Sequence, residues 1–180
     1  MVKIMKQNWF RRSIIPILLV LLFIYVYGGN IGKMTEVISV EGNENIGEIT
    51  NDEEVGQSFY SELNNLSGFS IKLATYGRVN AGRITLGIRN YGESNDIYST
   101  TIKAESLADN AFYDVRFPPI KYSKDKQYYI YIKSKDSMAG KFITAYKSKN
   151  DDYPKGNFTI NGVNQKGDLS FKVYFNKTLF

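Results

Sequence analysis

The sequence predicts an all-β domain, a β-sandwich or a barrel, and three observations carry that prediction. Apolar and polar residues alternate along Leu66–Ala74 and again along Arg83–Arg89, as they do in half-buried strands. Short segments of this kind recur along the chain and are separated by turn-forming Gly, Pro, Asn and Asp residues. Helical stretches long enough to connect parallel strands are missing between them, so antiparallel pairing is expected.

The alternation and the bounding turns place each strand. Inward positions of the two clearest strands form the expected core, namely Phe69, Ile71, Leu73, Ile84, Leu86 and Ile88. Pro118 and Pro119 are expected to end their strand, because proline cannot donate a hydrogen bond to a sheet. The predicted strands are Ile46–Thr50, Val55–Tyr60, Leu66–Ala74, Arg83–Arg89, Ile97–Lys103, Ala111–Phe117, Gln127–Ser134, Lys141–Lys147, Asn157–Ile160 with Val163, and Asp168–Phe175.

The chain divides into four predicted parts. In order these are a cytoplasmic basic tail, a hydrophobic helix, a polar linker and the β-domain, at residues 1–12, 13–31, 32–45 and 46–180. The helix begins with the apolar run SIIPILLVLLFIYVY, which has no polar face and therefore does not fit the surface of a soluble domain. The linker is polar and Gly-containing, as expected of a stalk that lifts a domain off a surface.

Two interpretations of the hydrophobic helix remain open. It is either an uncleaved transmembrane anchor or a signal peptide that is removed. The run is short for a membrane span of about 20 residues, but interfacial Trp9, snorkelling Arg11 and Arg12, and the following Gly28–Ile31 would lengthen it. Basic residues precede the run and acidic residues do not, so either interpretation keeps the N-terminus in the cytoplasm. The β-domain is then outside the cytoplasm, membrane-anchored or secreted.

The net charge of +5 does not indicate a nucleic-acid partner. Lys3, Lys6, Arg11 and Arg12 all precede the apolar run. Removing these four from the 23 basic residues leaves 19, against 18 acidic residues. A phosphate-binding surface requires an excess of Lys and Arg on the folded domain itself, so the nearly neutral β-domain argues against one.

Residue types that most often carry catalysis are missing. The sequence has no Cys and no His, which excludes disulfides, thiolate chemistry and imidazole bases or ligands. Its acidic residues lie mostly in Lys-rich or Asn-rich turns, and no isolated acid is expected among apolar strand residues, where burial would raise its pKa. We therefore expect a protein that is not an enzyme.

Several motifs lie in and between the predicted strands. They are Val55–Phe59, Asn65–Phe69, Leu73–Arg78, Ile84–Leu86, Leu107–Ala111, Phe117–Ile120, Tyr128–Ile130, Asp152–Pro154 and Gly167–Leu169. Across residues 47–176 this set resembles small jelly-roll ectodomains of bacterial membrane proteins, which often occur alongside polytopic glycosyltransferase-type proteins.

The resemblance implies a jelly-roll-type antiparallel β-sandwich, similar to galactose-binding and carbohydrate-binding modules and preceded here by the N-terminal hydrophobic helix. The chain departs from the pattern at Phe112, where Trp is usual, and at Lys126–Gln127, where Gly is common before the Tyr pair. No functional residue of the family is transferred to this chain.

Two groups of residues are candidates for ligand binding. Tyr129 and Tyr131 share one face of a predicted strand, where exposed rings would stack on sugars, although they would equally serve to pair across strands. Tyr76, Arg78 and Asn80 lie in one predicted loop and offer a ring, a forked donor and an amide for sugar hydroxyls. The alternative for this loop is a solvated turn.

Adjacent carboxylates at Asp151 and Asp152 suggest a structural calcium ion, because Ca²⁺ prefers oxygen-rich loops. The alternative is a turn whose Asp side chains accept from the backbone. No other cofactor is expected.

The leading hypothesis is a non-catalytic module that recognises a glycan or glycoconjugate at the bacterial cell envelope. The alternative is a protein-interaction module that accompanies a polytopic membrane protein, such as an envelope glycosyltransferase. A glycan-binding module should present exposed rings beside polar groups, whereas a protein-binding module should present a contiguous apolar patch.

Overall fold

A computed structural model of the chain contains an N-terminal helix and two antiparallel β-sheets. It describes the backbone of residues 2–27 and 32–178, and the side chains of residues 14–26 and 33–177. The helix, α1, spans Val2–Tyr27. The side chains of the predicted basic tail, and residues 28–31 of the predicted anchor, lie outside the described part. Within the described residues, no helix has the length and apolar character needed to cross a membrane.

Two sheets of six strands each form the β-domain. The strands are β1 (Gly32–Val40), β2 (Glu44–Asn45), β3 (Glu54–Ser61), β4 (Leu66–Ala74), β5 (Arg83–Asn90), β6 (Asp96–Lys103), β7 (Ala111–Ile120), β8 (Lys126–Lys135), β9 (Thr144–Lys147), β10 (Phe158–Ile160), β11 (Val163–Asn164) and β12 (Phe171–Thr178). The first sheet has the order β1-β12-β4-β9-β2, with β7 paired to β4. The second has the order β11-β10-β3-β8-β5-β6. The all-β prediction is confirmed.

The core lies between the sheets and is formed by alternate residues of their strands. Phe69, Ile71 and Leu73 of β4 are fully buried, as predicted, and so are the predicted core residues of β5, Ile84, Leu86 and Ile88. The most apolar predicted strand, β12, adds Phe171, Val173 and Phe175 to the same cluster. Successive side chains of a strand point to opposite faces, so each sheet also has an outer face.

The predicted linker at residues 32–45 is wrong over most of its length. Gly32–Val40 is strand β1, which pairs with β12 from Gly32↔Thr178 to Val40↔Phe171. A register shift between Glu36 and Ile38 inserts Val37 as a bulge. The bulge breaks the period-two pattern, so the alternation that marks the other strands is hidden in the sequence here.

The prolines do not remove the chain from the sheet. Strand β7 continues through Pro118 and Pro119 to Ile120, whose carbonyl accepts from Asn65 N at 3.1 Å. Within the described residues β7 pairs only with β4. An edge strand tolerates proline because its outer N–H positions need no partner strand.

The predicted strand at Ile46–Thr50 is instead a loop that packs on the core. Ile49 is buried, and its N–H donates to the carbonyl of Ile143 at 2.9 Å. Burial here follows from tertiary contact with the chain before β9 rather than from sheet pairing.

The loops gather at two ends of the β-domain. At the proximal end, where β1 begins and β12 ends, lie the connections at residues 62–65, 91–95 and 121–125. At the distal end lie the connections at residues 75–82, 104–110 and 136–143. Antiparallel pairing places both ends of each hairpin together, which is why the connections separate in this way.

Candidate ligand-binding faces

The outer face of the second sheet carries Tyr129 and Tyr131, but these rings are not exposed. They share a face, as alternation requires, yet they are only 7% and 5% exposed. Each ring lies against a glycine of a neighbouring strand. A Cβ atom on Gly56 would lie 2.3 Å from the Tyr129 ring, and one on Gly87 would lie 2.5 Å from the Tyr131 ring. The expected exposed platform is therefore corrected to a covered one.

Both phenol groups are held by hydrogen bonds. The hydroxyl groups of Tyr129 and Thr159 are 2.8 Å apart, and the Tyr131 hydroxyl donates to Asp96 Oδ2 at 2.6 Å. Burial raises the pKa of both phenols above the ordinary value of 10.0, and the bond to the Asp96 carboxylate adds to the increase at Tyr131. These rings are neutral structural groups at physiological pH.

A guanidinium group covers the two rings from outside. Arg89 Cζ lies 4.8 Å from the centroid of Tyr129 and 4.9 Å from that of Tyr131. Arg89 also forms a salt bridge with Glu54, and the two side chains are only 20% and 19% exposed. The two rings are so deeply buried beneath this ion pair that almost no ring surface is left on which a sugar could stack.

The outer face of the first sheet is more open. Three aromatic side chains, Phe112, Tyr146 and Tyr174, point outward from β7, β9 and β12 and are half-buried. These three residues were not among the predicted ligand-binding residues. The usable signal was the alternation itself, because the inward-facing Val173 and Phe175 place Tyr174 on the opposite side.

Polar groups fix Tyr174 at the centre of this face. Ser70 Oγ lies 2.8 Å from the Tyr174 hydroxyl and 2.5 Å from Asp114 Oδ1. Arg116 donates to Asp114 Oδ2 at 2.7 Å, while its Cζ lies 3.9 Å from the Tyr174 centroid. The Arg116–Asp114 pair stays substantially exposed, at 39% and 49%.

Lysines accompany the other two rings. Lys172 Nζ lies 4.7 Å from the Phe112 centroid and forms salt bridges with Glu36 and Glu41, at 3.2 and 3.5 Å. The face therefore alternates rings with charged donors and acceptors. This mixture suits a ligand that is rich in hydroxyl groups, since such ligands need both ring contact and hydrogen bonds.

Lys72 completes the arrangement beside Tyr146. Its Nζ lies 4.8 Å from the Tyr146 centroid and donates to Asn43 Oδ1 at 3.2 Å. We call the set of Phe112, Tyr146, Tyr174 and their cations Lys172, Lys72 and Arg116 the open face. The covered set of Tyr129, Tyr131, Arg89, Glu54 and Asp96 is the sealed face.

The three candidate residues of the distal loop, Tyr76, Arg78 and Asn80, do not form one surface. Tyr76 is exposed and stacks with Arg78, whose Cζ lies 4.8 Å from the ring centroid. Arg78 also forms a salt bridge with Glu48. Asn80 is instead buried, and its amide donates to the carbonyls of Lys141 and Phe142 at 3.0 and 2.7 Å. The expected sugar-binding role of Asn80 is thus corrected to a role in joining two loops.

The predicted calcium ligands, Asp151 and Asp152, lie in the loop after β9. Asp152 Oδ2 accepts from the Ser148 hydroxyl, while Asp151 is exposed. Clefts border this loop, and the one lined by Glu41–Glu44, Lys147–Asn150 and Asp152 has a volume of about 530 Å³. Among the described residues, no group of three or more Asp or Glu side chains is placed to hold a metal ion.

Asp168 is a buried acid next to the apolar residues of β12, contrary to the expectation that no isolated acid lies among apolar strand residues. It is fully buried and accepts from Gln57 Nε2 at 3.0 Å and from Tyr153 N at 2.8 Å. Burial raises the pKa of this carboxyl group, and the nearby Asp151 charge acts in the same direction. Its bonds anchor the loop after β9 to β3, which indicates a structural role. The sequence feature that could have indicated this burial is the position of Asp168, directly before the apolar residues that lead into β12.

Comparison with known proteins does not assign the chain to a family. No protein-family model matches the sequence, and no curated protein matches it significantly.

Proposed function

We propose that this protein is a non-catalytic module that binds a glycan or glycoconjugate at the cell envelope, outside the cytoplasm. The observation that carries the proposal is the open face, where three half-buried rings lie beside charged side chains on one sheet. Rings supply contact area and the adjacent Lys, Arg and carboxylate groups supply directed hydrogen bonds. We also propose the jelly-roll arrangement that the sequence resemblance implies.

The proposed location rests on the N-terminal helix. Ile15 and all the side chains from Ile17 to Phe23 are exposed over more than half of their surface. An exposed apolar surface of this size is expected to contact an apolar environment. A lipid bilayer fits best, because the basic residues that precede the helix are typical of a membrane-inserted segment. The helix is proposed to be an anchor with the N-terminus in the cytoplasm, its short apolar run being lengthened by interfacial Trp9, by snorkelling Arg11 and Arg12, and by the following Gly28–Ile31. Cleavage after the helix would yield a secreted form instead.

A glycan array probed with the full chain in detergent tests the proposed function. Single variants Tyr174→Ala, Phe112→Ala and Tyr146→Ala should each weaken binding of a glycan hit about ten-fold, because each removes a stacking ring. Tyr91→Ala and Tyr122→Ala remove exposed rings outside the open face and serve as matched controls.

The glycan proposal fails if no glycan binds at millimolar or better affinity, or if the controls weaken binding as much as the open-face variants. Circular dichroism of each variant must match that of the parent protein, so that loss of binding is not loss of fold.

A second candidate function is favoured by the distal end. Val79 and Met138 are 70% and 61% exposed there, beside the exposed Tyr76. Exposed apolar side chains on neighbouring loops suit contact with a protein, so a polytopic membrane partner such as an envelope glycosyltransferase remains the alternative. Photo-crosslinking from position 79 to a membrane protein, without glycan binding by the open face, would favour this alternative.

Structural calcium at Asp151 and Asp152 also stays a prediction. Bound calcium stabilises a folded protein by mass action, so a chelator should lower the melting temperature. An unchanged melting temperature with and without chelator would remove this prediction.

A further inference from the structure

Five exposed lysines gather at the proximal end of the β-domain. Lys33 and Lys177 are direct register partners across β1 and β12. The other three follow one another in the chain between β7 and the start of β8, at Lys121, Lys124 and Lys126. None of the five forms a salt bridge with any other residue whose side chain the structure describes.

Backbone hydrogen bonds bring the two groups of lysines to the same end. The N–H of Asn176, next to Lys177, donates to the carbonyl of Asn65 at 2.8 Å. Asn65 in turn donates from its N–H to the carbonyl of Ile120, next to Lys121, at 3.1 Å. A short chain of backbone contacts therefore connects the end of β12 with the β7–β8 loop.

The acidic groups at this end do not balance the lysines. Glu62 forms a salt bridge with Lys155, which is a sixth lysine. Asp125 accepts from the phenol of Tyr60 at 3.0 Å, and Glu93 accepts from the amide of Asn90. Asp96, which begins β6 directly after the 91–95 connection, accepts from the phenol of Tyr131. Among the described side chains, five lysines thus face three carboxylates that have no ion-pair partner, which leaves the end net positive.

Exposed apolar and aromatic side chains lie among these lysines. Tyr122, directly after Lys121, is 79% exposed, and Tyr91 and Leu63 are exposed on the neighbouring loops. Tyrosine is enriched at membrane–water interfaces, where its ring reaches the apolar side and its hydroxyl group stays hydrated. Lysines beside a tyrosine are the composition expected of a surface that meets lipid headgroups.

Chain connectivity keeps this end close to the proposed anchor. Helix α1 ends at Tyr27 and β1 begins at Gly32. Five residue steps can span at most about 18 Å, whatever conformation they adopt. The first residue of β1 must therefore lie within that distance of the end of the helix.

We propose that the proximal end is a membrane-contact surface, which rests on anionic lipid headgroups through Lys33, Lys121, Lys124, Lys126 and Lys177, with Tyr122 in the interface. This inference rests on the membrane anchor of the proposed function. The contact holds the β-domain upright, so that the distal end points away from the bilayer.

Fluorescence quenching of the full chain in vesicles tests the contact. The sequence has no Cys, so Tyr122→Cys and Val79→Cys each provide a unique position for a dye. Both positions are exposed, but they lie at opposite ends of the β-domain. A lipid quencher in the headgroup region should quench the dye at 122 and leave the dye at 79 bright. Quenching at 122 should increase when phosphatidylglycerol is added to phosphatidylcholine and decrease with salt.

Matched lysine variants test the charge contribution. The triple variant of Lys121, Lys124 and Lys126 to Gln should lower the docking equilibrium about five-fold for each lysine removed. The control triple variant changes the same charge at the distal end, at Lys103, Lys135 and Lys141, and should leave quenching unchanged. Equal quenching at 122 and 79, or quenching that ignores lipid charge, salt and the first triple variant, overturns the proposal.

Flotation separates failure of the contact from failure of the anchor. A chain that floats with uncharged vesicles at high salt is inserted, whether or not its proximal end contacts the bilayer. If flotation fails at high salt, the anchor is wrong. The contact surface is then supported only by lysine-dependent quenching on phosphatidylglycerol vesicles at low salt, and the lack of such quenching overturns it.

Discussion

The sealed face and the open face use the same residue types for different purposes. Both combine tyrosine rings with a guanidinium group and a carboxylate, on the outer sides of two sheets of the same sandwich. On the sealed face the rings lie over Gly56 and Gly87 and are covered by Arg89. On the open face Tyr174 is half-buried, and its Arg116–Asp114 pair is about twice as exposed as Arg89–Glu54.

The difference shows that residue type alone does not distinguish a binding surface from a structural one. Tyr129 and Tyr131 lie in the space that Gly56 and Gly87 leave, so these rings lose almost all of their exposed surface. Arg89 covers what remains of it. Tyr174 also pairs with a glycine, Gly68, but a Cβ atom there would meet Val115 O and the Arg116 side chain rather than the Tyr174 ring, and this ring keeps part of its surface. The sealed face should therefore contribute mainly to stability, and the open face to binding.

The largest expected effect is on stability, from truncation of a sealed ring. Tyr131→Ala should cost about 3 kcal/mol of the free energy of unfolding, because it removes a buried ring and leaves Asp96 without its donor. Tyr174→Ala should cost about 1 kcal/mol, because the Tyr174 ring is only partly buried and its truncation removes less apolar contact. Urea denaturation followed by circular dichroism measures both. Equal costs would show that the two faces do not differ in the way proposed.

A smaller effect is expected from the two ion pairs. Arg89→Gln should cost about 2 kcal/mol, because it leaves Glu54 largely buried without its charged partner. Arg116→Gln should cost less than about 1 kcal/mol, since exposed pairs are screened by water. Added salt should change the free energy of unfolding of the parent protein only slightly if the Arg89–Glu54 pair contributes more than the exposed pair, because salt screens buried charges weakly. A double variant, Arg89→Gln with Glu54→Gln, should recover part of the loss, and failure to recover would mean that packing matters more than charge.

The smallest effect is expected at alkaline pH. Burial raises the pKa of the Tyr131 phenol in the folded protein above 10.0, so the unfolded chain releases this proton first. The stability that this group contributes is complete below the unfolded value and is lost as pH rises toward the folded one. Relative to Tyr131→Phe, the parent should lose about 1 kcal/mol between about pH 9 and pH 11. Parallel denaturation midpoints for both proteins would contradict the raised pKa.

Much of the scaffold could be predicted from local pattern. Strand β4 was predicted with its observed bounds, and β5 to within one residue, because alternation over a half-buried strand is a local signal. Strand β1 was missed because the bulge at Val37 interrupts that signal. The prolines of β7 were misjudged because their effect depends on whether a partner strand lies outside, which is a property of the sheet.

The candidate site was harder to predict than the scaffold. Tyr129 and Tyr131 were correctly placed on a common face, but their exposure depends on Gly56 and Gly87 in other strands. Asn80 was read as a free amide, whereas its partners Lys141 and Phe142 are about 60 residues away in the chain. Neighbours of this kind are set by strand pairing, to which a single sequence gives no direct access.

By itself, the sequence determined the alternating strands, the inward core and the separation of the basic tail from a nearly neutral β-domain. These follow from the period of a strand and from the order of charges along the chain. Only the tertiary structure decided which outer face is sealed and which is open. The exposure of a ring on a sheet is set by the residues of adjacent strands, and antiparallel pairing brings those residues together from distant parts of the chain.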